Sequence, residues 1–167
     1  VVTTSFTANT SLIRTVENTA ITTLSGEPIV LAIQEACCLS IDRHRPMKLS
    51  AVEFPTKEPP APFLEDGFDR FNEAALAYAE VYRQKVLPQH IDMSRHMNNI
   101  EYVKLALNVF SVEDLAVCTP SELEVHFLGE SLEGQTLRIF RAEHNGATYM
   151  KILEGERAVF EMKMRMM

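Results

Sequence analysis

The sequence predicts an α+β fold in which a long helix lies against an antiparallel sheet. Residues 98–110 carry too many apolar side chains for a thin stripe, as is typical of a largely buried helix. The stretch "ELEVHFL", residues 122–128, alternates apolar and polar side chains with the period of a half-buried strand. Turn signals at 144–146 and 154–155 then separate strand-like runs, and Asn-Gly favours a type I′ hairpin. A strand and a helix followed by an antiparallel meander make an α+β arrangement.

The first half predicts two paired strands, roughly at 11–24 and 28–41, around a turn that contains Gly26. Residues 77–86 indicate a further strand, although their Ala and Glu content leaves a helix open. Between these parts, the segment 55–70 holds four of the eight prolines, which neither donate to a sheet ladder nor fit inside a helix. We therefore expect a linker or a surface crossing there.

Composition excludes several classes of protein. A chain of 167 residues with 46% hydrophobic content can bury a core. Its net charge of -7 and lack of a basic stripe argue against nucleic-acid binding. No apolar run of about 18 residues could span a bilayer. The start does not read as a signal peptide, and the three cysteines show no disulfide framework, so we expect a cytoplasmic protein. We expect no cofactor.

Polar side chains crowd the start of the predicted helix, at Asp92, Ser94, His96, Asn98 and Asn99. A carboxylate and an imidazole four residues apart converge when the chain between them curls. Ser and Asn side chains can then orient them or a water molecule. This is the geometry that general-base chemistry needs.

The residues alone leave two other interpretations open. Asp92 or Asn98 could simply cap the helix, with His96 a partly exposed spacer. His90, Asp92 and His96 could also form a metal site, but no familiar fourth ligand follows, so we expect no metal.

The stretch "DMSRHMNNIEYVKLAL" resembles the signature of the acyl-acyl carrier protein (acyl-ACP) thioesterases, an Asp-x-Asn-x-His-x-Asn-Asn run before a Tyr-containing helix. The matching residues are Asp92, His96, Asn98, Asn99 and Tyr102. Downstream, "LEVHFLGES" is similar to the strand segment that carries a glutamate in this family, here Glu130. Residues 24–49 also resemble the family, through a Gly-Glu turn, an Ile-Asp pair and an Arg-Pro ending.

The resemblance implies two hot-dog domains in tandem, each a curved antiparallel sheet around a long helix. Residues 1–54 would be the C-terminal part of the first domain, 55–70 a Pro-rich linker, and 71–167 the second domain with the catalytic motif. Family members are longer at the N-terminus, so we expect the first sheet to lack its helix. The exposed sheet face would favour self-association, for instance as a homodimer.

The implied activity is hydrolysis of long-chain acyl-ACP to free fatty acid and carrier protein, which ends fatty-acid synthesis. Glu130 and His96 would act together as the general base that activates water, and Asp92 would orient and polarise His96. Ser94, with Asn98 or backbone amides at the helix start, would hold the oxyanion or the water. The expected substrate-binding residues are Asn98, Asn99, Tyr102, Arg43 and Arg45.

The carrier protein is acidic, as the family's biology implies, so an acidic enzyme needs a local basic patch to dock it. We expect Arg43, Arg45 and Lys48, with Arg95, to form that patch.

Two residues depart from the family pattern. Ser94 stands where the family usually has Asn, and Ser131 stands where plant members have a Cys after the glutamate, so a Cys-dependent mechanism is not required. A strand-end glutamate such as Glu130 is also commonly solvated. The sequence therefore leaves an acyl-coenzyme A thioesterase and a non-catalytic acyl-binding or assembly module open as alternatives.

Overall fold

The computed structural model describes residues 2–9, 14–40, 42, 45–51, 71, 75–117 and 119–167. The chain divides into two compact units, unit 1 with residues 1–70 and unit 2 with residues 71–167. The Pro-rich segment predicted at 55–70 lies outside the described residues.

Unit 1 is built on a three-stranded antiparallel sheet in the order β1-β2-β3. Its strands are β1 (Val2–Asn9), β2 (Arg14–Thr22) and β3 (Pro28–Cys37). The two strands predicted in this region correspond to β2 and β3, whereas β1 lies before the region that we predicted as extended. A short pair, β4 (Leu39–Ser40) with β5 (Arg45–Pro46), and a 3₁₀ turn at Leu49–Ala51 follow.

The sheet of unit 1 presents apolar side chains to solvent. Ile29, Val30 and Leu31 of β3 are 64%, 46% and 41% exposed. Because successive strand residues point to opposite faces, both faces of β3 are partly uncovered. No α-helix occurs in the described part of unit 1. Self-association through this sheet stays a prediction.

Unit 2 combines a nine-residue helix with a five-stranded sheet, antiparallel throughout, in the order β6-β8-β9-β10-β7. This is the predicted α+β arrangement. Its strands are β6 (Ala79–Lys85), β7 (Pro120–Phe127), β8 (Thr136–His144), β9 (Ala147–Glu154) and β10 (Arg157–Met166). Its helices are α1 (Asn99–Leu107) and α2 (Val112–Val117), with a 3₁₀ turn at Pro88–His90. No helix in the described residues is long and apolar enough to cross a membrane.

The short helix α2 was not predicted, although its start has a recognisable cap. The Ser111 amide donates to the Asp114 carboxylate, and the Asp114 amide donates to the Ser111 hydroxyl, both at 3.0 Å. This reciprocal pattern satisfies two amides that a helix start otherwise leaves unpaired. Since none of the residues of α2 is buried, apolar periodicity could not reveal it.

The hairpin between β8 and β9 turns at the Asn-Gly pair that the sequence singled out. Asn145 and Gly146 have φ angles of 49° and 71°, so both turn residues adopt positive φ as a type I′ turn requires. The prediction of this hairpin is confirmed.

The core of unit 2 lies between α1 and one face of the sheet. Tyr102, Leu105 and Ala106 of α1 are buried there. The Tyr102 ring stacks on Phe160 of β10, with ring centroids 5.7 Å apart and planes 9° apart. Other buried core residues include Val86, Met97, Leu137, Ile139, Met150, Ile152, Val159, Met162 and Met164. Phe127, at the end of β7, packs edge-on against both rings, with centroids 6.4 Å from Tyr102 and 5.4 Å from Phe160. The helix and the end of β7 therefore contact the same core.

Tyr82 of β6 ties the edge of the sheet to the helix. Its hydroxyl donates to the Leu105 carbonyl. Burial raises the pKa of Tyr82 to about 12, against a smaller lowering by the Asn108 side chain. The phenol is therefore held neutral in the folded chain.

We predict that Tyr82→Phe destabilises the chain by about 1 kcal/mol near neutral pH, because the Leu105 carbonyl loses its donor. An unfolded tyrosine ionises at about pH 10. The folded phenol keeps its proton up to about pH 12, so its stabilising effect is complete below pH 10 and lost as pH rises towards 12. Urea unfolding of both proteins between about pH 8 and 11 measures this difference. A gap that stays constant as the pH rises would contradict the assignment.

Candidate active site

The polar segment before α1 folds into a closed turn. Ile91 and Met97 pair as an isolated antiparallel bridge. Inside it, the Asp92 amide donates to the His96 carbonyl at 2.9 Å, and the Arg95 amide donates to the Asp92 carbonyl at 3.0 Å. Arg95 adopts a φ of 66°, in the left-handed region, which lets the chain reverse in so few residues. The turn delivers His96 next to the start of the helix.

The Asp92 side chain acts on the backbone of this turn. Its Oδ1 atom accepts a hydrogen bond from the Ser94 amide at 2.8 Å, an Asx turn. Asp92 is half-buried, whereas Ser94 is exposed. The hydrogen bonds thus connect Asp92 to His96 through the backbone.

His90 closes the base of the turn. It is buried, and its Nδ1 atom accepts a hydrogen bond from the Leu87 amide at 3.1 Å, which places the proton of a neutral ring on Nε2. Its carbonyl accepts from the Asn98 amide at 2.8 Å. In the part of the chain that the structure describes, no three His, Cys, Asp or Glu side chains cluster as metal ligands would.

Asn98 caps α1. Its side-chain Oδ1 accepts from the Ile100 amide at 2.9 Å, and its carbonyl accepts from the Glu101 amide at the same distance. Asn98 is therefore a helix cap, one of the interpretations that the sequence left open. The cap uses only the side-chain oxygen, and the NH₂ group of Asn98 is also a donor. Asn99, the first helical residue, is exposed.

A bulge in β10 redirects the chain that carries Glu130. The pairing register between β9 and β10 shifts between Ala158 and Phe160, around Val159. The Val159 carbonyl accepts from the amides of both Leu128 and Gly129, at 2.9 and 3.2 Å. Bulges commonly re-aim a side chain beside an active site. Here the bulge ends the ladder of β7 and sends the following residues towards the turn before α1.

His96 and Glu130 meet at this junction. The Met97 amide donates to the Ser131 carbonyl at 2.9 Å, which joins the two segments. His96 Nε2 then lies 3.1 Å from Glu130 Oε2. The side chains are 22% and 47% exposed, so water reaches the carboxylate while the imidazole is partly shielded. The structure thus brings together two of the four predicted catalytic residues in direct contact.

Tyr102, predicted to bind substrate, lies in the core. Its hydroxyl donates to the Gly129 carbonyl at 3.4 Å, and burial raises its pKa. The neighbouring Ser131 is fully buried. Ser131 offsets part of this rise in the pKa of Tyr102. Among the described residues, the Ser131 hydroxyl has no partner with hydrogen-bond geometry. Tyr102 therefore supports the segment that carries Glu130.

The predicted basic patch is described only in part. Arg43 lies outside the described residues, while Arg45 and Lys48 are exposed in unit 1. Arg95 is exposed in the turn of unit 2. Docking of a carrier protein on these residues stays a prediction.

One contact at the site was not predicted from the sequence. Arg157, at the start of β10, donates from Nη2 to the Glu130 carbonyl at 2.8 Å. Arg157 and Glu130 are 27 positions apart, and their contact depends on the bulge at Val159. No local pattern in the sequence reports such a contact.

A family model decides the assignment of the chain. The model of the acyl-ACP thioesterase C-terminal domain matches residues 74–162, more than half of the sequence. The chain belongs to the acyl-ACP thioesterase family. This membership assigns it to the thioester hydrolases, as the signature around His96 predicted.

Solved structures of acyl-ACP thioesterases share the fold. The enzyme from Bacteroides thetaiotaomicron is 18% identical, with a TM-score of 0.70, and the match covers 99% of this chain and 68% of that one. The 12:0-ACP thioesterase from Umbellularia californica is 12% identical, with a TM-score of 0.70, and the match covers 99% of this chain and 66% of that one. The predicted hot-dog architecture is confirmed, and the chain spans about two thirds of the length of these structures. Among curated proteins, none matches its sequence significantly.

We predict that Asn98→Ala lowers the free energy of unfolding by about 1 kcal/mol, because the Ile100 amide at the start of α1 loses its acceptor. Asn98→Ser should keep most of the stability, since serine also caps helices. Asn99→Ala is the matched control, and it should change stability by less than about 0.5 kcal/mol. Chemical denaturation measures all three, and equal losses for Asn98→Ala and Asn99→Ala would refute the capping role.

Proposed function

We propose that the chain hydrolyses long-chain acyl-ACP thioesters to free fatty acid and carrier protein, the reaction that ends fatty-acid synthesis. The observation that supports this proposal most strongly is the 3.1 Å contact between His96 and Glu130, in a member of the acyl-ACP thioesterase family. A cytoplasmic location is part of the same proposal.

Glu130 and His96 activate a water molecule in this mechanism. The carboxylate is the more exposed of the two groups, and it takes a proton as the water oxygen attacks the thioester carbonyl carbon. The N–H group at His96 Nε2 donates a hydrogen bond to the carboxylate and orients it. When the tetrahedral intermediate collapses, the C–S bond breaks and the proton passes from Glu130 to the departing thiolate. The products are a free fatty acid and the thiol of the carrier protein.

Asp92 and Ser94 serve this pair from the turn. Asp92 sets the direction of His96 by closing the backbone around it, through the Ser94 amide and the His96 carbonyl. The exposed Ser94 hydroxyl contacts the substrate or the water. Because the Ser94 side chain is shorter than the family's usual Asn, its hydroxyl needs a bridging water molecule to reach the same position.

The start of α1 supplies the donors for the oxyanion. The Met97 and Asn98 amides already donate to Ser131 and His90, so the Asn99 amide and the Asn98 NH₂ group are the candidate donors. The positive end of the helix dipole also favours a negative charge at this position.

An acyl-binding module without catalysis is the second candidate function. The replacement of the family's usual Asn by Ser94 favours it, because a missing donor weakens the hold on the oxyanion. Acyl-coenzyme A is the alternative substrate for an active enzyme, since its phosphates would also seek cationic groups.

We predict that Glu130→Gln lowers kcat for an oleoyl or palmitoyl carrier protein by about 10²- to 10⁴-fold, since amides cannot accept the proton. Glu133→Gln is the matched control, an exposed glutamate three residues away that should keep full activity. Release of free fatty acid, measured by mass spectrometry, compares the variants. Full activity in Glu130→Gln would end the proposed role. Acyl binding without turnover in the unmodified chain would favour the binding module.

We predict that reversing Arg43 and Arg45 to Glu raises KM for acyl-ACP at least about fivefold, because an acidic carrier protein loses its docking charge. KM for acyl-coenzyme A with the same acyl group should change less. Lys85→Glu, an exposed charge reversal in β6, is the control for net charge. Equal effects on the two thioesters would reject a carrier-protein patch at these arginines.

A further inference from the structure

Three hydrogen bonds hold the backbone around Glu130. Residues 129–131, which we call the Glu130 segment, accept hydrogen bonds through each of their carbonyls. Tyr102 donates to Gly129 at 3.4 Å, Arg157 donates to Glu130 at 2.8 Å, and the Met97 amide donates to Ser131 at 2.9 Å. The short bond from the guanidinium is the one that acts on Glu130 itself.

We propose that Arg157 is a positioning residue, which holds the backbone of Glu130 so that its carboxylate meets His96. This inference rests on the proposed function, in which the two side chains share the activation of water. It assigns the guanidinium a role in the reaction without contact to the substrate.

Arg157 is itself directed towards the Glu130 segment. It stands opposite Glu154 in the register of β9 and β10, and its Nη2 atom lies 3.7 Å from Glu154 Oε2. The side chain is 55% exposed, so this ion pair contributes little stability. The same Nη2 atom lies closer to the Glu130 carbonyl, at 2.8 Å, so the hydrogen bond to the Glu130 segment is the better formed of the two contacts.

Gly129 provides the room that the guanidinium occupies. A Cβ atom at this position would lie 2.9 Å from Arg157 Nη1, closer than real Cβ contacts. Its next neighbours, Arg157 Cζ at 3.5 Å and Val159 Cγ1 at 3.6 Å, are ordinary contacts. The φ of Gly129 is not in the left-handed region, so the backbone itself would accept alanine. A side chain at position 129 would therefore compete with the Arg157 guanidinium for this space.

The carboxylate needs this support because its own side chain is loosely held. Glu130 is 47% exposed, and its described polar contact is the 3.1 Å pair with His96. Catalytic groups must stay within about 0.5 Å of their productive geometry. A misplacement of about 1 Å can cost about 10²-fold in rate. A small shift of the Glu130 backbone therefore reaches the chemistry directly.

The test uses Gly129→Ala and Arg157→Gln, alone and together. Alanine at 129 should displace the flexible guanidinium at little cost in stability. We expect each single variant to lower kcat for acyl-ACP about tenfold, with KM within about twofold. We expect the double variant to be no slower than Arg157→Gln. Arg138→Gln is the matched control, an arginine on β8 that pairs with Glu80 at 3.0 Å, and it should keep its kcat.

A second readout does not depend on activity. The NMR signals of the His96 ring should move in Arg157→Gln and in Gly129→Ala towards their positions in Glu130→Gln. Ring signals that stay at their wild-type positions would overturn the proposal, as would an unchanged kcat in Arg157→Gln or multiplicative losses in the double variant. If the unmodified chain hydrolyses no thioester, the proposed function fails, and the ring signals alone decide the role of Arg157.

Discussion

The backbone hydrogen bond from the Met97 amide to the Ser131 carbonyl joins two parts of unit 2 that lie far apart in the sequence. One part is the turn that precedes α1, and the other is the segment that leaves the end of β7, opposite the bulge of β10. His96 is adjacent to the donor residue and Glu130 is adjacent to the acceptor residue. The bond therefore limits how far apart the imidazole and the carboxylate can lie. The ring contact between Tyr102 of α1 and Phe127 at the end of β7, with centroids 6.4 Å apart, supports the same approach.

The buried and the exposed groups of the site have different roles. Buried groups, such as His90 and Tyr102, satisfy backbone amides and carbonyls and hold the turn and the Glu130 segment. The groups assigned to the chemistry, His96 and Glu130, are partly exposed, as a reaction with water requires. The packed scaffold thus holds the proposed catalytic pair at its surface, where water can reach it.

Local features of the fold could be predicted from the sequence because neighbouring residues determine them. The Asn145-Gly146 turn and the buried helix follow from conformational preference and apolar spacing. The same spacing could have placed Tyr102 in the core, since it lies three residues before the buried Leu105 on one helix face. β1 escaped the prediction, although the rest of its sheet did not.

The contacts that assemble the site could not be predicted in this way. The approach of Glu130 to His96 was expected only from a family resemblance, since 34 positions separate the two residues. The hydrogen bond from Arg157 depends on a bulge whose position is set by sheet pairing across three strands. Such contacts arise from tertiary packing, which leaves no periodic trace in the sequence.

A double-mutant cycle on His96 and Glu130 tests the central claim most directly, namely that the two side chains act as one acid–base unit. Single-turnover rates of acyl-ACP hydrolysis would be measured for the unmodified chain, His96→Gln, Glu130→Gln and the double variant. If the pair acts as a unit, the double variant should be about as slow as the slower single variant. Losses that multiply, or a single variant that keeps its full rate, would contradict the account.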